Sequence, residues 1–131
     1  MTARRSDRAR FEGESHTRGR GSLAEEVGVG WLQGQGYRIV ERNVDTGAGE
    51  IDVVAMDGDV LCFIEIKARA DDSFGPAIEG VTRPKQRRLI RAASVYLNRL
   101  EAIPECRFDV LGMDMGEGGW EFTLLEDAFT A

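Results

Sequence analysis

Two apolar segments joined by an Asp-Gly turn constrain the fold of this chain more than any other feature. Residues 51–56 and 60–67 are runs of mostly aliphatic and aromatic side chains, and Asp57-Gly58 lies between them. Asp and Gly tolerate the positive φ angles that a tight hairpin turn requires. The pattern therefore predicts an antiparallel hairpin whose two strands are largely buried in a sheet.

The segments around this hairpin predict two helices and three more strands. Ser22 and Glu25 have capping-box spacing, and apolar residues at helical intervals predict a helix over 22–35 that ends near Gly36. Pro84 suits the first turn of a second helix, predicted over 84–100. Shorter strands are predicted at 37–41, 108–111 and 120–125. The order α-β-β-β-α-β-β predicts an α/β fold with a central mixed sheet flanked by helices.

The length of 131 residues is that of one domain, which we expect over residues 21–131. Residues 1–20 are rich in Arg, Gly, Ser and Thr, a composition that predicts a flexible basic arm. No apolar run follows these arginines, so we expect no secretory signal. No segment is apolar over the roughly 18–20 residues that a membrane helix needs, so no membrane partner is expected.

The scarcity of histidine and cysteine narrows the chemistry that this chain could perform. His16 is the only histidine, which argues against a His-based zinc site, a Ser-His-Asp triad and a Cys-His pair. Cys62 and Cys106 are too few for a disulfide framework, so we expect both to be reduced in a cytoplasmic protein. Any catalysis must then depend on carboxylates and lysine.

The charge of this chain is unevenly distributed. The net charge is −6, which argues against simple nucleic-acid binding because phosphate contacts need cations. Residues 101–131 hold eight acids against Arg107 alone, whereas residues 83–91 hold cations and no acid. The basic residues of this segment are Arg83, Lys85, Arg87, Arg88 and Arg91. The segment is read either as a solvated helix face or as a surface for an anionic partner.

Three charged residues interrupt the apolar hairpin strands. Asp52 lies in the first strand, and Glu65 and Lys67 lie in the second. Because side chains alternate between faces, Glu65 and Lys67 share one face, and the hairpin can bring Asp52 to the same side. Buried charges are usually paired or bind metals. Two carboxylates suit Mg²⁺, and a lysine beside them can orient water or stabilise negative charge.

Glu25 is a candidate fourth member of this group. At about 100° per residue, Glu25 projects into the apolar arc of the first helix, whereas Glu26 projects into its polar gap. Each residue also has a plainer interpretation. A Glu-x-Lys pair in a strand is often exposed to solvent, Asp52 could cap a turn, and Glu25 could be a helix-capping residue. The combination of these residues is more specific than any one of them.

The motifs at these positions resemble the YraN family of uncharacterised bacterial proteins. They are also similar to the wider PD-(D/E)xK superfamily, whose restriction-endonuclease-like fold includes the Holliday junction resolvases. The resemblance covers nearly all of residues 21–131. The segments that carry it are Ala24-Glu25, residues 35–37, 41–43 and 49–55, residues 63–69 with Glu65-Ile66-Lys67, residues 81–86, residues 107–110, and Ala128-Phe129.

The resemblance implies a metal site of Asp52 and Glu65, with Lys67 as catalytic lysine, Glu25 at the same site and Gln86 near its edge. It implies Mg²⁺ or Mn²⁺ as cofactor. Two departures stand out: Ile51 replaces the proline of the superfamily's name, and the turn at residues 45–49 lacks the basic residues that relatives usually carry there.

Three functions remain open from the sequence. The first is a metal-dependent nuclease acting on DNA. Branched DNA is suggested by analogy with the resolvases. Residues 83–91, which include Gln86, would bind the nucleic-acid backbone. The second is a nucleic-acid-binding module of the same fold without turnover. The third is a protein–protein adaptor that uses the acidic C-terminal end. A homodimer is suggested by analogy with the symmetric resolvases, although the sequence shows no interface.

Overall fold

A computed structural model of the chain describes residues 3–9, 20–70 and 75–131. Helices and strands occur along the chain in the following order. They are β1 (Ala3–Ala9), α1 (Arg20–Gly34), β2 (Arg38–Asp45), β3 (Glu50–Asp57), β4 (Val60–Arg69), a 3-10 helix (Ala77–Gly80), α2 (Arg83–Leu97), β5 (Cys106–Gly116) and β6 (Gly119–Phe129). The predicted order α-β-β-β-α-β-β is confirmed from α1 onwards, and α1 and α2 lie within three residues of their predicted bounds.

The strands form one sheet in the order β1-β6-β5-β4-β3-β2. Neighbouring strands are antiparallel except β4 and β5, which are parallel and are joined through α2. The Asp-Gly hairpin between β3 and β4 is confirmed, and Gly58 has the positive φ (60°) expected there. In the described part of the chain, neither helix is long and apolar enough to cross a membrane.

The first strand differs from the sequence expectation. Residues 1–20 were expected to form a flexible arm, whereas Ala3–Ala9 pair with β6 from Glu126 back to Trp120. The pairing uses backbone groups, which the edge of β6 offers whatever the polarity of the incoming side chains. Residues 1–2 and 10–19, which include His16, lie outside the described residues.

Each face of the sheet carries its own hydrophobic layer. On one face, α1 packs through Leu32 and Trp31, and the indole of Trp31 stacks on Phe122 with ring centroids 4.9 Å apart. On the other face, α2 packs through Leu89 and Tyr96. The rings of Tyr96 and Phe63 pack edge to face with their centroids 5.8 Å apart. Alternate residues of β4 enter opposite layers, and β3 follows the same rule except at Ile51, which lies under α2 as Val54 does.

The 3-10 helix lies over β5 beside the end of β4. The Ala77 N–H donates to Asp114 Oδ1 at 2.9 Å, and Ile78 lies against Gly112, where a Cβ would collide with it. Gly112 therefore lets the connection pass close over the sheet. This contact places Gly80, the last residue of the 3-10 helix, against the C-terminal end of β4.

A buried polar network occupies the opposite end of the sheet. The Asp109 side chain is fully buried and accepts hydrogen bonds from Tyr37 Oη (2.8 Å), Arg107 Nε (2.8 Å) and the Asp127 N–H (2.9 Å). Arg107 also donates to Asp57, at the hairpin end of β3, at 2.9 Å. The burial of Asp109 is thus matched by three donor groups, one of which is the cation of Arg107.

Candidate functional site

The candidate site forms where β3 and β4 separate. Their ladder pairs Val53 with Ile64, and continuing the register by one residue would place Asp52 opposite Glu65. Instead, the Ile66 N–H donates to Asp52 Oδ2 at 2.8 Å, so a side chain replaces the backbone partner. The two carboxylates therefore lie opposite each other at the point where the strands diverge.

The two acids meet beside an irregularity of β3. Glu65 alternates regularly with Phe63 and lies on the face covered by α2. In β3, Ile51 and Val54 both belong to the layer under α2 although they are an odd number of positions apart, so the alternation breaks beside Asp52. A side-chain hydrogen bond between Asp52 and Glu65 shows that the two carboxylates nevertheless come together.

The predicted acids and lysine border one cavity of about 490 Å³. The residues that line it are Ala24, Glu25, Asp52, Glu65, Ile66, Lys67 and Ala68. Helix α1 supplies Glu25, β3 supplies Asp52, and β4 supplies Glu65 and Lys67. The structure thus brings together the four residues that the sequence singled out for chemistry.

The electrostatics of Glu65 reflect its crowding by Asp52. Burial, a hydrogen bond with Asp52 and the charge of Asp52 together raise the pKa of Glu65 to about 8, and burial has the largest effect. The positive charges of Arg88 and Lys67 oppose this rise. Two carboxylates this close cannot both ionise cheaply, so a proton or a cation is favoured between them.

Glu25 faces the cavity, and its neighbour Glu26 faces away. Burial and the charge of Asp52 raise the pKa of Glu25, while Arg42 and a hydrogen bond with Asn43 lower it. Glu26 is exposed and forms a salt bridge with Arg42 at 2.8 Å. The prediction that Glu25 is the inward-facing member of the pair is confirmed.

Lys67 lies beside a second lysine. The pKa of Lys67 is lowered, first by a hydrogen-bonding contact with Lys85 and then by burial, and the charge of Glu65 partly opposes this. Lys85 comes from the first turn of α2, and its Nζ donates to the Gly80 carbonyl at 3.1 Å. The amine of Lys67 therefore sits between a carboxylate on one side and an ammonium on the other.

The residues of α2 that were predicted to bind nucleic acid divide into three groups. Lys85 and Gln86 are half-buried and donate to the carbonyls of Gly80 and Val81, each at 3.1 Å. The charge of Arg88 lowers the pKa of Glu65, and the aliphatic part of the Arg88 side chain lies against Gly49. The third group is exposed, recurs every four residues and forms one stripe; it comprises Arg83, Arg87 and Arg91.

Sequence reasoning missed two residues at this site. Asn43 has a positive φ of 51° and its side chain hydrogen-bonds Glu25. Gly80 borders Lys67 so closely that a Cβ would lie 2.7 Å from Lys67 Cε. Asn tolerates positive φ, which was a weak signal for Asn43. Nothing in the local sequence around Gly80 pointed to Lys67, which is thirteen residues away.

The donor set fits a hard divalent cation. Asp52 and Glu65 offer carboxylate oxygens, and the pKa of Glu65 stays raised although the charges of Arg88 and Lys67 oppose the rise. No group of three or more His, Cys, Asp or Glu side chains suited to a metal occurs among the described residues. Mg²⁺ typically takes one or two carboxylates and completes its coordination with waters and substrate phosphates, so two acids are sufficient.

Comparison with known proteins places this geometry in a family. A model described as "Uncharacterised protein family UPF0102" matches residues 24–113. The UPF0102 protein of Symbiobacterium thermophilum is 45% identical over 113 residues, covering 85% of this chain and 96% of its own. That of Chromohalobacter salexigens is 42% identical over 115 residues, with coverages of 88% and 94%. That of Herminiimonas arsenicoxydans is 45% identical over 100 residues, with coverages of 76% and 81%.

Proposed function

This chain belongs to the uncharacterised protein family UPF0102, the YraN family, and we propose that it is a divalent-metal-dependent nuclease that hydrolyses nucleic-acid phosphodiesters. One observation carries the proposal: Asp52 and Glu65 oppose each other on diverging strands, with Lys67 on the same cavity. The order of helices and strands is that of the restriction-endonuclease-like fold. A shared fold does not establish activity, so the argument depends on the site.

In the proposed mechanism, Asp52 and Glu65 hold Mg²⁺ or Mn²⁺. The bound cation would polarise a phosphate oxygen and lower the pKa of a water. Lys67 directs its ammonium into the cavity, where it donates to a phosphate oxygen or to the attacking water. Glu25 lies on the same cavity, and its raised pKa suits a carboxylate that accepts a proton from water.

Helix α2 would hold the nucleic-acid backbone beside this site. Its exposed stripe of Arg83, Arg87 and Arg91 offers three cations on one side, and Arg88 extends the positive charge to the carboxylates. Cations are slightly unfavourable near a helix N-terminus, but free backbone amides there also attract phosphate. The substrate we propose is DNA, with branched DNA as one candidate, bound by a homodimer.

The first experiment separates metal binding from catalysis. We expect Mn²⁺ binding, measured by isothermal titration calorimetry, to weaken strongly in Asp52→Ala and Glu65→Ala. Glu50→Ala is the matched control, because Glu50 shares the face of Asp52 but does not line the cavity. Lys67→Ala should fold and bind metal yet fail to cleave any member of a panel of branched, flapped, linear and single-stranded substrates.

The second experiment tests the role of α2. Replacing Arg83, Arg87 and Arg91 by Gln should reduce the slope of log binding constant against log salt by about 0.9 for each lost duplex phosphate contact. Arg38→Gln is the control for each single replacement, because it removes one charge and Arg38 is exposed near the hairpin end of the sheet. DNA binding without divalent-ion binding would instead show a silent nucleic-acid module. Loss of all nucleic-acid binding at low salt would favour a protein adaptor.

A further inference from the structure

Three basic side chains meet at Gly80. The Nζ of Lys85 donates to the Gly80 carbonyl at 3.1 Å. A Cβ at residue 80 would lie 2.7 Å from Lys67 Cε and 3.2 Å from Arg69 Nη2. Gly80 has no side chain to occupy this space, and Lys67 and Arg69 share one face of β4. Residues from β4 and α2 thus place their cationic ends around a single glycine.

Two of these cations are in direct contact. Lys67 and Lys85 lie within hydrogen-bonding reach of each other, although like charges repel. Neither forms a salt bridge with a carboxylate in residues 20–70 or 75–131. Glu65 is the acid whose charge acts on Lys67, and in the proposed function Glu65 holds a divalent cation. An anion bound between the amines would therefore remove an unfavourable interaction.

We propose that Lys85 and Arg69, with Lys67 at the boundary, form a second phosphate subsite next to the carboxylate pair. This subsite would bind the phosphate that adjoins the one being hydrolysed. The inference rests on the proposed nuclease function and defines its substrate class. The substrate is a polynucleotide with consecutive charged phosphates, and a dinucleotide with one phosphate would be cleaved poorly.

Oligonucleotides with a neutral methylphosphonate backbone provide the probes. One probe carries a single charged phosphodiester, and the other carries two adjacent ones. The full-length protein should cleave the two-phosphate probe with a kcat/KM at least about tenfold higher, because a charge-assisted hydrogen bond contributes about that factor. Lys85→Gln should cleave both probes at similar rates. Equal cleavage of both probes by the unaltered protein would overturn the subsite, as would an undiminished preference in Lys85→Gln.

Two further variants test whether the two-phosphate preference arises from the subsite itself. One controls for the loss of a positive charge, and the other controls for a change in stability. Arg38→Gln removes one exposed charge outside the stripe and outside the cavity, and should keep the two-phosphate preference. Gly80→Ala should reduce the preference with little change in Tm, because the atoms that a Cβ would displace are the ends of flexible side chains. A full preference in Gly80→Ala would contradict the proposed geometry.

A binding measurement keeps this inference distinct from the nuclease proposal. In EDTA, the two-phosphate probe should bind about tenfold more tightly than the one-phosphate probe, and Lys85→Gln should abolish the difference. If neither probe is cleaved but this binding difference is present, the nuclease function is wrong and the subsite stands. If cleavage occurs and both probes bind equally, the subsite is wrong and the nuclease function stands.

Discussion

Glu65 is held in an environment that disfavours its charge. It lies between Ile64 and Ile66 in the most buried strand of the sheet, and Asp52 is its nearest acid. Its pKa of about 8 in the folded protein lies well above the 4.5 of an unperturbed glutamate. Between these two pH values the folded state binds more protons than the unfolded state. Stability therefore falls as the pH rises through this window.

Replacing Glu65 by Gln should make the metal-free protein less sensitive to alkaline pH. At pH 5 the variant and the parent should have similar free energies of unfolding, since Glu65 is then protonated in the folded state. At pH 8.5 the variant should be more stable by about 1 kcal/mol or more, because each pKa unit corresponds to about 1.4 kcal/mol. Urea denaturation in EDTA measures the difference, and Glu50→Gln is the exposed control. An equal difference at both pH values would contradict the prediction.

Asp109 is the opposite case, a buried acid whose charge is well compensated. Its side chain is 0% exposed, and Arg107, Tyr37 and the Asp127 N–H all donate to it. Asp127 reaches Asp109 because it has a positive φ of 54°, beside a shift in the pairing of β5 with β6. An aspartate is thus fully compensated at one end of the sheet and crowded by a second carboxylate at the other.

Removing Asp109 should therefore cost far more than removing one of its partners. Asp109→Ala leaves Arg107 with Asp57 and the Tyr37 hydroxyl as its partners, and we expect a loss of about 3–5 kcal/mol. Tyr37→Phe removes a hydroxyl that donates to Asp109 and accepts from Arg107, and should cost about 1–2 kcal/mol. Urea denaturation compares the two variants at pH 7. Similar losses in both would show that the network contributes little beyond the tyrosine hydroxyl.

Helix α1 shows why its glycines differ in importance. The sequence predicted a helix weakened by Gly28, Gly30 and Gly34. A Cβ at Gly28 would lie 3.0 Å from Met113 Sδ and 3.3 Å from Ile66 Cδ1, whereas Gly30 and Gly34 have no neighbour within 4 Å. Gly28 therefore allows α1 to approach the sheet, close to where Glu25 enters the site. Gly30 provides no such contact.

The two glycines should respond to alanine in opposite directions. Gly28→Ala should lower the free energy of unfolding by about 1–3 kcal/mol through overpacking against Met113. Gly30→Ala should raise it by up to about 1 kcal/mol, because alanine has the higher helix propensity and Gly30 is exposed. Thermal unfolding of the two single variants measures both effects. A lower free energy of unfolding in Gly30→Ala would contradict the prediction, because it would mean that Gly30 packs against a neighbour.

The elements that sequence reasoning predicted are those with strong local patterns. Both helices and the Asp-Gly hairpin follow from periodicity, capping and turn residues. β5 was predicted over 108–111, but it runs from Cys106 to Gly116, and Gly112 lies beneath Ile78. The 3-10 helix and β1 were not predicted because their sequences have no apolar periodicity. Tertiary contacts hold the first, and backbone pairing holds the second.

The site residues divide in the same way. Asp52, Glu65 and Lys67 stood out because each interrupts an apolar strand, and parity then placed them on one face. Gly80 and Asn43 could not be found so, since their importance arises from contacts with residues distant along the chain. The predicted family was confirmed by the match to UPF0102 and by relatives at 42–45% identity.

The sheet has two ends with different electrostatic roles. At the hairpin end, Asp57 joins Arg107 and Asp109 in a closed network. At the other end, β3 and β4 diverge around Asp52 and Glu65. Asp52 and Asp57 are five residues apart in one strand, or about 17 Å at about 3.3 Å per residue. The closed end can therefore fix the strand register while the open end retains two acids that raise each other's cost of ionisation.

This separation predicts that stability and metal binding can be altered independently. At a Mn²⁺ concentration 100 times Kd, binding to the folded state alone should stabilise the parent by about 2.7 kcal/mol. Asp52→Ala should lose this increment. Tyr37→Phe should have a lower Tm without metal yet keep the full increment, because its hydroxyl bonds only the closed end. Thermal unfolding with and without Mn²⁺ measures both quantities. A reduced increment in Tyr37→Phe would show that the two ends are coupled through β3 and β4, and that the acids depend on the network for their positions.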